Sequence, residues 1–280
     1  MAKVAIIQTD IKWADPIANQ QAVESALLAS NAVEMPMANS QEPKSIDLYV
    51  LPEMWNTGFM ADEQCSMFNV QCSIEFLRSL AQKYNAAISG SMAIREGEKL
   101  YNRLYFVTPE ETFFYDKRHL FSYAGEDKTF TAGQQPVVVE WRGVRYLLQI
   151  CYDLRFPCFS RNRITKDRVA EANSSLFTLH SSLLYDAIIY VANWPESRRR
   201  VWDILLQARA LENQCFVIGV NRVGDDPNCH YNGGSVVIDA KGKKLASVAD
   251  NTEGTATAVL DMASLNAFRE KFPVLRDADE

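Results

Sequence analysis

Three side chains suited to one reaction stand far apart in the chain, each just past a segment that reads as a strand: Glu53 after 46–51, Lys117 after 112–116 and Cys151 after the buried run 144–150. In open α/β layers the carboxyl ends of strands are where substrates meet the protein. A cysteine attacks a carbonyl carbon as its thiolate, and a free thiol at neutral pH is mostly protonated, so a base must take the proton. The histidines His119, His180 and His230 follow no clear strand end. A glutamate whose pKa burial raises toward neutrality can stand in for one. Attack on an amide carbon also places negative charge on oxygen, and each fixed donor aimed at that oxygen lowers the barrier by about 3 kcal/mol. Lys117 and the backbone N–H of Tyr152 are of the right type. The competing plain readings are a structural cysteine, a solvated loop carboxylate and a solvated lysine.

The elements that must bring these groups together follow from periodicity. Residues 4–8 read as a first strand, and Asp15-Pro16 caps a helix whose apolar positions recur from Val23 to Val33. A polar connection over 36–43 leads to strand 46–51, and a helix marked by Ile74, Leu77, Leu80, Ala81 and Tyr84 leads to strand 86–92. Strands 100–108 and 112–116 form a hairpin across Pro109-Glu110-Glu111, and strands 135–141 and 144–150 another across Arg142-Gly143. Residues 118–133 look irregular, and a helix is expected to start over 155–164 after Pro157. Strand 187–192 ends in Asn193-Trp194-Pro195. The basic run Arg198-Arg199-Arg200 opens the most regular helix, carrying Val201, Ile204, Leu205, Ala208 and Leu211. Strands 216–220 and 235–238 are separated by a long loop, 221–234. Strands near 245–248 and 256–260 precede a last helix ending around Lys271. Strands outnumber helices and hairpins mix with crossovers, which suits two stacked sheets covered by helices.

The chain has 280 residues, 48% of them hydrophobic, enough for a large core, and no Pro/Gly/Ser-rich linker divides it, so a single domain over 1–280 is expected. A net charge of -6 argues against a nucleic-acid surface, and no apolar run approaches bilayer length. Six cysteines without paired metal spacing, behind an N-terminus lacking a secretory signal, suggest reduced thiols in the cytosol.

The blocks Leu51-Pro52-Glu53-Met54, Tyr115-Asp116-Lys117-Arg118-His119-Leu120-Phe121 and Ile150-Cys151-Tyr152-Asp153-Leu154-Arg155-Phe156-Pro157 resemble the Glu-Lys-Cys motifs of the nitrilase superfamily of carbon-nitrogen hydrolases. Asn193-Trp194-Pro195 and the stretch 208–214 extend the likeness to almost the whole chain, which most resembles the bacterial omega-amidases acting on 2-oxo-dicarboxylic acid monoamides. The resemblance implies a four-layer α-β-β-α sandwich, a homodimer of such units and no metal or organic cofactor. It makes Glu53 the general base, Lys117 the oxyanion-stabilising lysine, Cys151 the nucleophile and Glu126 a second glutamate that positions the lysine and substrate. The chain departs from that pattern by an insertion over 164–184.

For a 2-oxo acid, Arg155, Arg198 and Arg222 are the candidate carboxylate anchors, with Arg155 alternatively an ion-pair partner of Asp153. Phe59, Tyr123 and Trp194 are candidate pocket walls. Cys158, Cys215 and His119 are expected to pack or bond within the body. N-carbamoyl or nitrile hydrolysis, amide transfer, and a non-catalytic binding protein on the same fold stay open as alternatives.

Overall fold

The computed structural model describes residues 1–32, 45–60, 70–163 and 183–277. In chain order the strands and main helices are β1 (Ala2–Gln8), α1 (Pro16–Ala32), β2 (Leu48–Val50), α2 (Val70–Tyr84), β3 (Ala87–Glu96), β4 (Lys99–Val107), β5 (Thr112–Asp116), α3 (Glu126–Thr129), β6 (Val138–Trp141) and β7 (Val144–Ile150). They continue with β8 (Ala187–Ala192), α4 (Arg199–Asn213), β9 (Phe216–Asn221), β10 (Val223–Asp225), β11 (His230–Asn232), β12 (Val236–Ile238), β13 (Lys244–Ser247), β14 (Gly254–Leu260) and α5 (Met262–Lys271).

Two sheets share one plan. The first runs β14-β1-β2-β3-β4-β5 and the second β13-β12-β9-β8-β7-β6. In each, three adjacent parallel strands (β1, β2, β3 and β7, β8, β9) are flanked by antiparallel ones. The central strands are buried on both faces, which explains why they read as continuous apolar runs. Alternate residues then point to different layers. Val4, Ile6, Leu48 and Val50 meet Tyr146, Leu148, Ile189 and Val191 between the sheets. Ala5, Ile7, Tyr49 and Leu51 instead pack under α1 and α2. Ile188, Tyr190 and Val217 pack under α4 through Trp202, Leu206 and Ala210. The result is the α-β-β-α sandwich.

Local chemistry sets the boundaries. Asp15 accepts the Ala18 N–H at 3.0 Å ahead of Pro16, the first residue of α1. Arg142 and Gly143 both have positive φ, 51° and 74°, as a two-residue hairpin turn requires.

Three expectations are corrected. Residues 156–163 form turns and irregular chain rather than a helix: the 3-10 turn Cys151–Arg155 ends before Pro157, and the bonds from Phe159 N–H to Phe156 O and from Ser160 N–H to Pro157 O, both at 3.2 Å, close single turns that are not continued. The loop 221–234 contains the ribbon β10-β11, pinned by Asp226 accepting Tyr231 Oη–H at 2.6 Å. Within 118–133 lie a 3-10 turn, Ser122–Ala124, and α3, where Glu126 sits. Of the insertion expected over 164–184, residues 164–182 lie outside the described residues, as does the polar connection over 36–43. Among the described residues no helix is long and apolar enough to cross a membrane.

Candidate active site

Strand ends from both sheets converge. The chain leaves β2 through Leu51 and Pro52 to Glu53, whose place is held by its neighbours: Leu51 N–H donates to Ser89 O at 2.7 Å and Met54 N–H to Ser91 Oγ at 3.0 Å. Lys117 follows β5, with its N–H on Asn102 O and its carbonyl accepting the Gly133 N–H, both at 2.9 Å. A Cβ on Gly133 would lie 2.1 Å from Asp116 O, so only glycine lets the returning chain come this near. Cys151 follows β7 with φ at 46°, an uncommon conformation for a residue with a side chain, at the start of a 3-10 turn.

These three side chains meet. Lys117 Nζ donates to Glu53 Oε1 at 2.9 Å and to both Glu126 oxygens at 3.0 and 2.9 Å. Asn102 Nδ2 bridges the two carboxylates, 2.8 Å from Glu53 Oε1 and 3.1 Å from Glu126 Oε1. The other Glu53 oxygen accepts the Asn193 N–H at 2.8 Å, and Asn193 Nδ2 donates to Glu53 O at 2.7 Å. Glu126 Oε2 also takes the Phe121 N–H at 2.6 Å. Lys117, Glu53 and Glu126 are almost wholly shielded from solvent. Cys151 is half-buried and faces a cavity of about 450 Å³ that Glu53 and Lys117 also line.

Burial and charge set the protonation states. Burial pushes the Cys151 thiol well above the ordinary range; the carboxylates of Glu53 and Glu126 push it further, against the pull of the Lys117 ammonium. Burial would lower Lys117, but the charges of Glu126, Glu53 and Cys151 outweigh it and hold the group above its usual value. Glu126 is raised, chiefly by burial, with Lys117 opposing. The resting centre therefore holds a protonated thiol beside a fixed cation. Such a centre can move one proton internally from sulfur to carboxylate without changing its total charge.

A second cluster ties the cysteine turn to the lysine segment. Asp153, fully buried, accepts the Ile150 N–H at 3.0 Å, the Tyr115 hydroxyl at 2.8 Å and the His119 N–H at 2.9 Å. His119 Nδ1 lies 2.8 Å from the same carboxylate and its ring stacks on Phe156 at 3.9 Å. His119 thus bonds within the body, as expected. Asp153 is engaged with these groups and not with Arg155.

Phe59 and Trp194 line the cavity with Arg155 and Tyr152, and the Phe59 ring lies 5.5 Å from Lys117 Nζ. Tyr123 does not line it: the residue is 86% exposed and its ring leans on Phe121, while Phe121 and Ala124 line the cavity. Arg222 does not reach it either, being fully buried and bonded to Asp10, Ile11 O and Asp225 O. Cys215 is buried as expected, but Cys158 is exposed, so it does not pack within the body. Sequence reasoning passed over Asn102, took Asp153 only as a possible partner of Arg155, and passed over Asp226, Cys229 and Tyr231 on the cavity wall. Among the described residues no group of three His, Cys, Asp or Glu side chains is placed to hold a metal ion.

The carbon-nitrogen hydrolase family model matches residues 3–270. The chain is 39% identical over 280 residues to the omega-amidase YafV of Escherichia coli (strain K12), covering 99% of this chain and 97% of that one. It is 31% identical over 284 residues to the 2-oxoglutaramate amidase of Bacillus subtilis (strain 168), covering 98% and 96%. Its structure superposes on that of XC1258 from Xanthomonas campestris, a CN-hydrolase superfamily protein, with a TM-score of 0.83 at 34% identity, over 100% of this chain and 97% of the other. On the match along nearly its whole length, the chain belongs to the carbon-nitrogen hydrolase family.

Proposed function

We propose that this amidase hydrolyses the terminal amide of a small 2-oxo-dicarboxylic acid monoamide, 2-oxoglutaramate or 2-oxosuccinamate, to the acid and ammonia through a thioester on Cys151. The observation that carries the reading is the Glu53–Lys117 contact at 2.9 Å in the cavity that Cys151 faces. The names of the E. coli and B. subtilis relatives support the substrate class, and the cavity suits a small acid.

In the first half-reaction Glu53 accepts the thiol proton as sulfur bonds to the amide carbon. The carbonyl oxygen becomes an oxyanion facing the Lys117 ammonium and the Tyr152 N–H, one of the first N–H groups of its turn. On collapse the C–N bond breaks and Glu53 returns its proton to the departing nitrogen, which leaves as ammonia. In the second half-reaction Glu53 takes a proton from water as the water oxygen attacks the thioester carbon. The C–S bond then breaks and sulfur recovers its proton. Glu126 acts through Lys117: with both its oxygens on the ammonium it keeps that group charged and aimed.

Ammonia release from 2-oxoglutaramate, read beside a panel of carbamoyl and nitrile compounds, tests the reading. The wild type turns over the amide in preference to the panel, and Cys151→Ala abolishes turnover with an unchanged circular dichroism spectrum. Appreciable amide hydrolysis by the folded Cys151→Ala protein contradicts the assignment.

A further inference from the structure

The cavity around Cys151 is electrically uneven. At the catalytic cluster the charge of Lys117 is balanced by two carboxylates. Two other cations line the same cavity, Arg155 and Arg198, and among the described residues neither guanidinium has a carboxylate or carbonyl partner. Six other guanidiniums are, by contrast, already engaged. The guanidiniums of Arg103, Arg145, Arg199, Arg209, Arg222 and Arg269 are all bonded to acidic side chains.

Both free guanidiniums are nevertheless held. Arg155 lies over the Trp194 ring at 5.2 Å and Arg198 over the Phe121 ring at 5.2 Å. Trp194 joins them, since its indole N–H donates to the Arg198 carbonyl at 2.8 Å while its face carries Arg155. A guanidinium held over an aromatic ring keeps its edge N–H groups free to bond a ligand. Asp226 also lines the cavity, but its oxygens take the Asn228 and Cys229 N–H groups, both at 2.7 Å, and the Tyr231 hydroxyl.

We infer that Arg155 and Arg198 form a carboxylate clamp, so that the enzyme selects amides carrying a carboxylate at the end remote from the scissile bond. The inference rests on the amidase reading above and deepens it. A planar guanidinium accepts a carboxylate through two parallel bonds, and the aromatic faces behind the pair keep water from competing for it.

The test uses the full chain with succinamate and butyramide, amides of equal length with and without the carboxylate. The clamp predicts that the ratio of kcat/KM for succinamate to that for butyramide falls at least about 30-fold in Arg198→Gln and in Arg155→Gln, as losing a charged hydrogen bond does, and recovers in part in Arg198→Lys. Both amides losing rate in proportion, or the ratio holding at its wild-type value, overturns it. Because the ratio is internal to each variant, partial unfolding does not imitate the effect. Binding is read separately from turnover by following alkylation of Cys151 with iodoacetamide. The dianion 2-oxoglutarate slows alkylation of the wild type and not of the Arg155→Gln, Arg198→Gln double variant; equal protection of both proteins overturns the clamp. If the wild type hydrolyses neither amide, the amidase reading falls, and the protection experiment still decides the clamp.

Discussion

At the scale of single residues, the site is a set of charges that burial would not tolerate separately. Lys117 is 1% exposed, and a lone ammonium there would shed its proton; two carboxylates keep it charged. The same burial keeps the Cys151 thiol protonated at rest, so attack waits for a base in the right place. Alkylation of Cys151 should therefore rise with pH only above the ordinary thiol range. Glu126→Gln removes a charge that pushes the thiol up and is expected to move that midpoint down, whereas Lys117→Met removes the opposing cation and moves it up. Mass-monitored alkylation against pH reads both. Lys117→Met is also expected to lower kcat by about 10³-fold, the upper range for one oxyanion donor.

At the scale of elements, the question is how strands of two sheets hold three side chains within bonding reach. Asp153 is the clearest device, since one carboxylate grips the end of β7 and the segment after β5 together. Asp153→Asn keeps the shape but cannot accept every one of these bonds. It is expected to lower kcat about 100-fold, the scale of a misplaced reacting group, and to cost about 1–3 kcal/mol in urea unfolding through the buried donors left unpaired. Gly133→Ala forces a Cβ against Asp116 O and should cost roughly 1–3 kcal/mol in urea unfolding, as overpacking does. This is also the scale at which the sequence was most readable. Continuous apolar runs marked the strands of both sheets, and their sudden ends marked Glu53, Lys117 and Cys151. What the runs could not convey was partnership across the chain. Asn102 and Asp153 matter through groups dozens of residues away, and no local pattern distinguishes them from a polar residue in a loop. Tyr123 and Arg222 failed for a related reason. Residue type suggested a pocket wall and an anion anchor, but direction is set by packing, which turned one ring outward and spent the other guanidinium on Asp10.

At the scale of the molecule, the two sheets must keep their relative position, because Glu53 and Lys117 belong to one and Cys151 and Asn193 to the other. The core between them does most of this, and a buried ion cluster fastens the C-terminal helix to the second sheet. Asp186 pairs with Arg145 and with Arg269 of α5, at 2.7 Å in each case. Burial would raise the Asp186 carboxyl, but hydrogen bonds and charge from Arg145, then Arg269, hold it below its usual range. A carboxyl depressed on folding contributes stability above its unfolded pKa and loses it as pH falls through the lower folded value. Stability should accordingly decline on the acid side of the ordinary aspartate range. Asp186→Asn should remove about 3 kcal/mol at neutral pH and flatten that acid decline, both read from urea unfolding at several pH values.

The central claim, that sulfur carries the acyl group, is tested most directly by acid quenching during turnover of 2-oxoglutaramate, followed by intact-mass and peptide mass analysis. The account predicts an added acyl mass equal to the substrate less ammonia, confined to the peptide bearing Cys151 and removed by hydroxylamine. Turnover with no adduct under conditions that trap thioesters, or an adduct on any other residue, would contradict it.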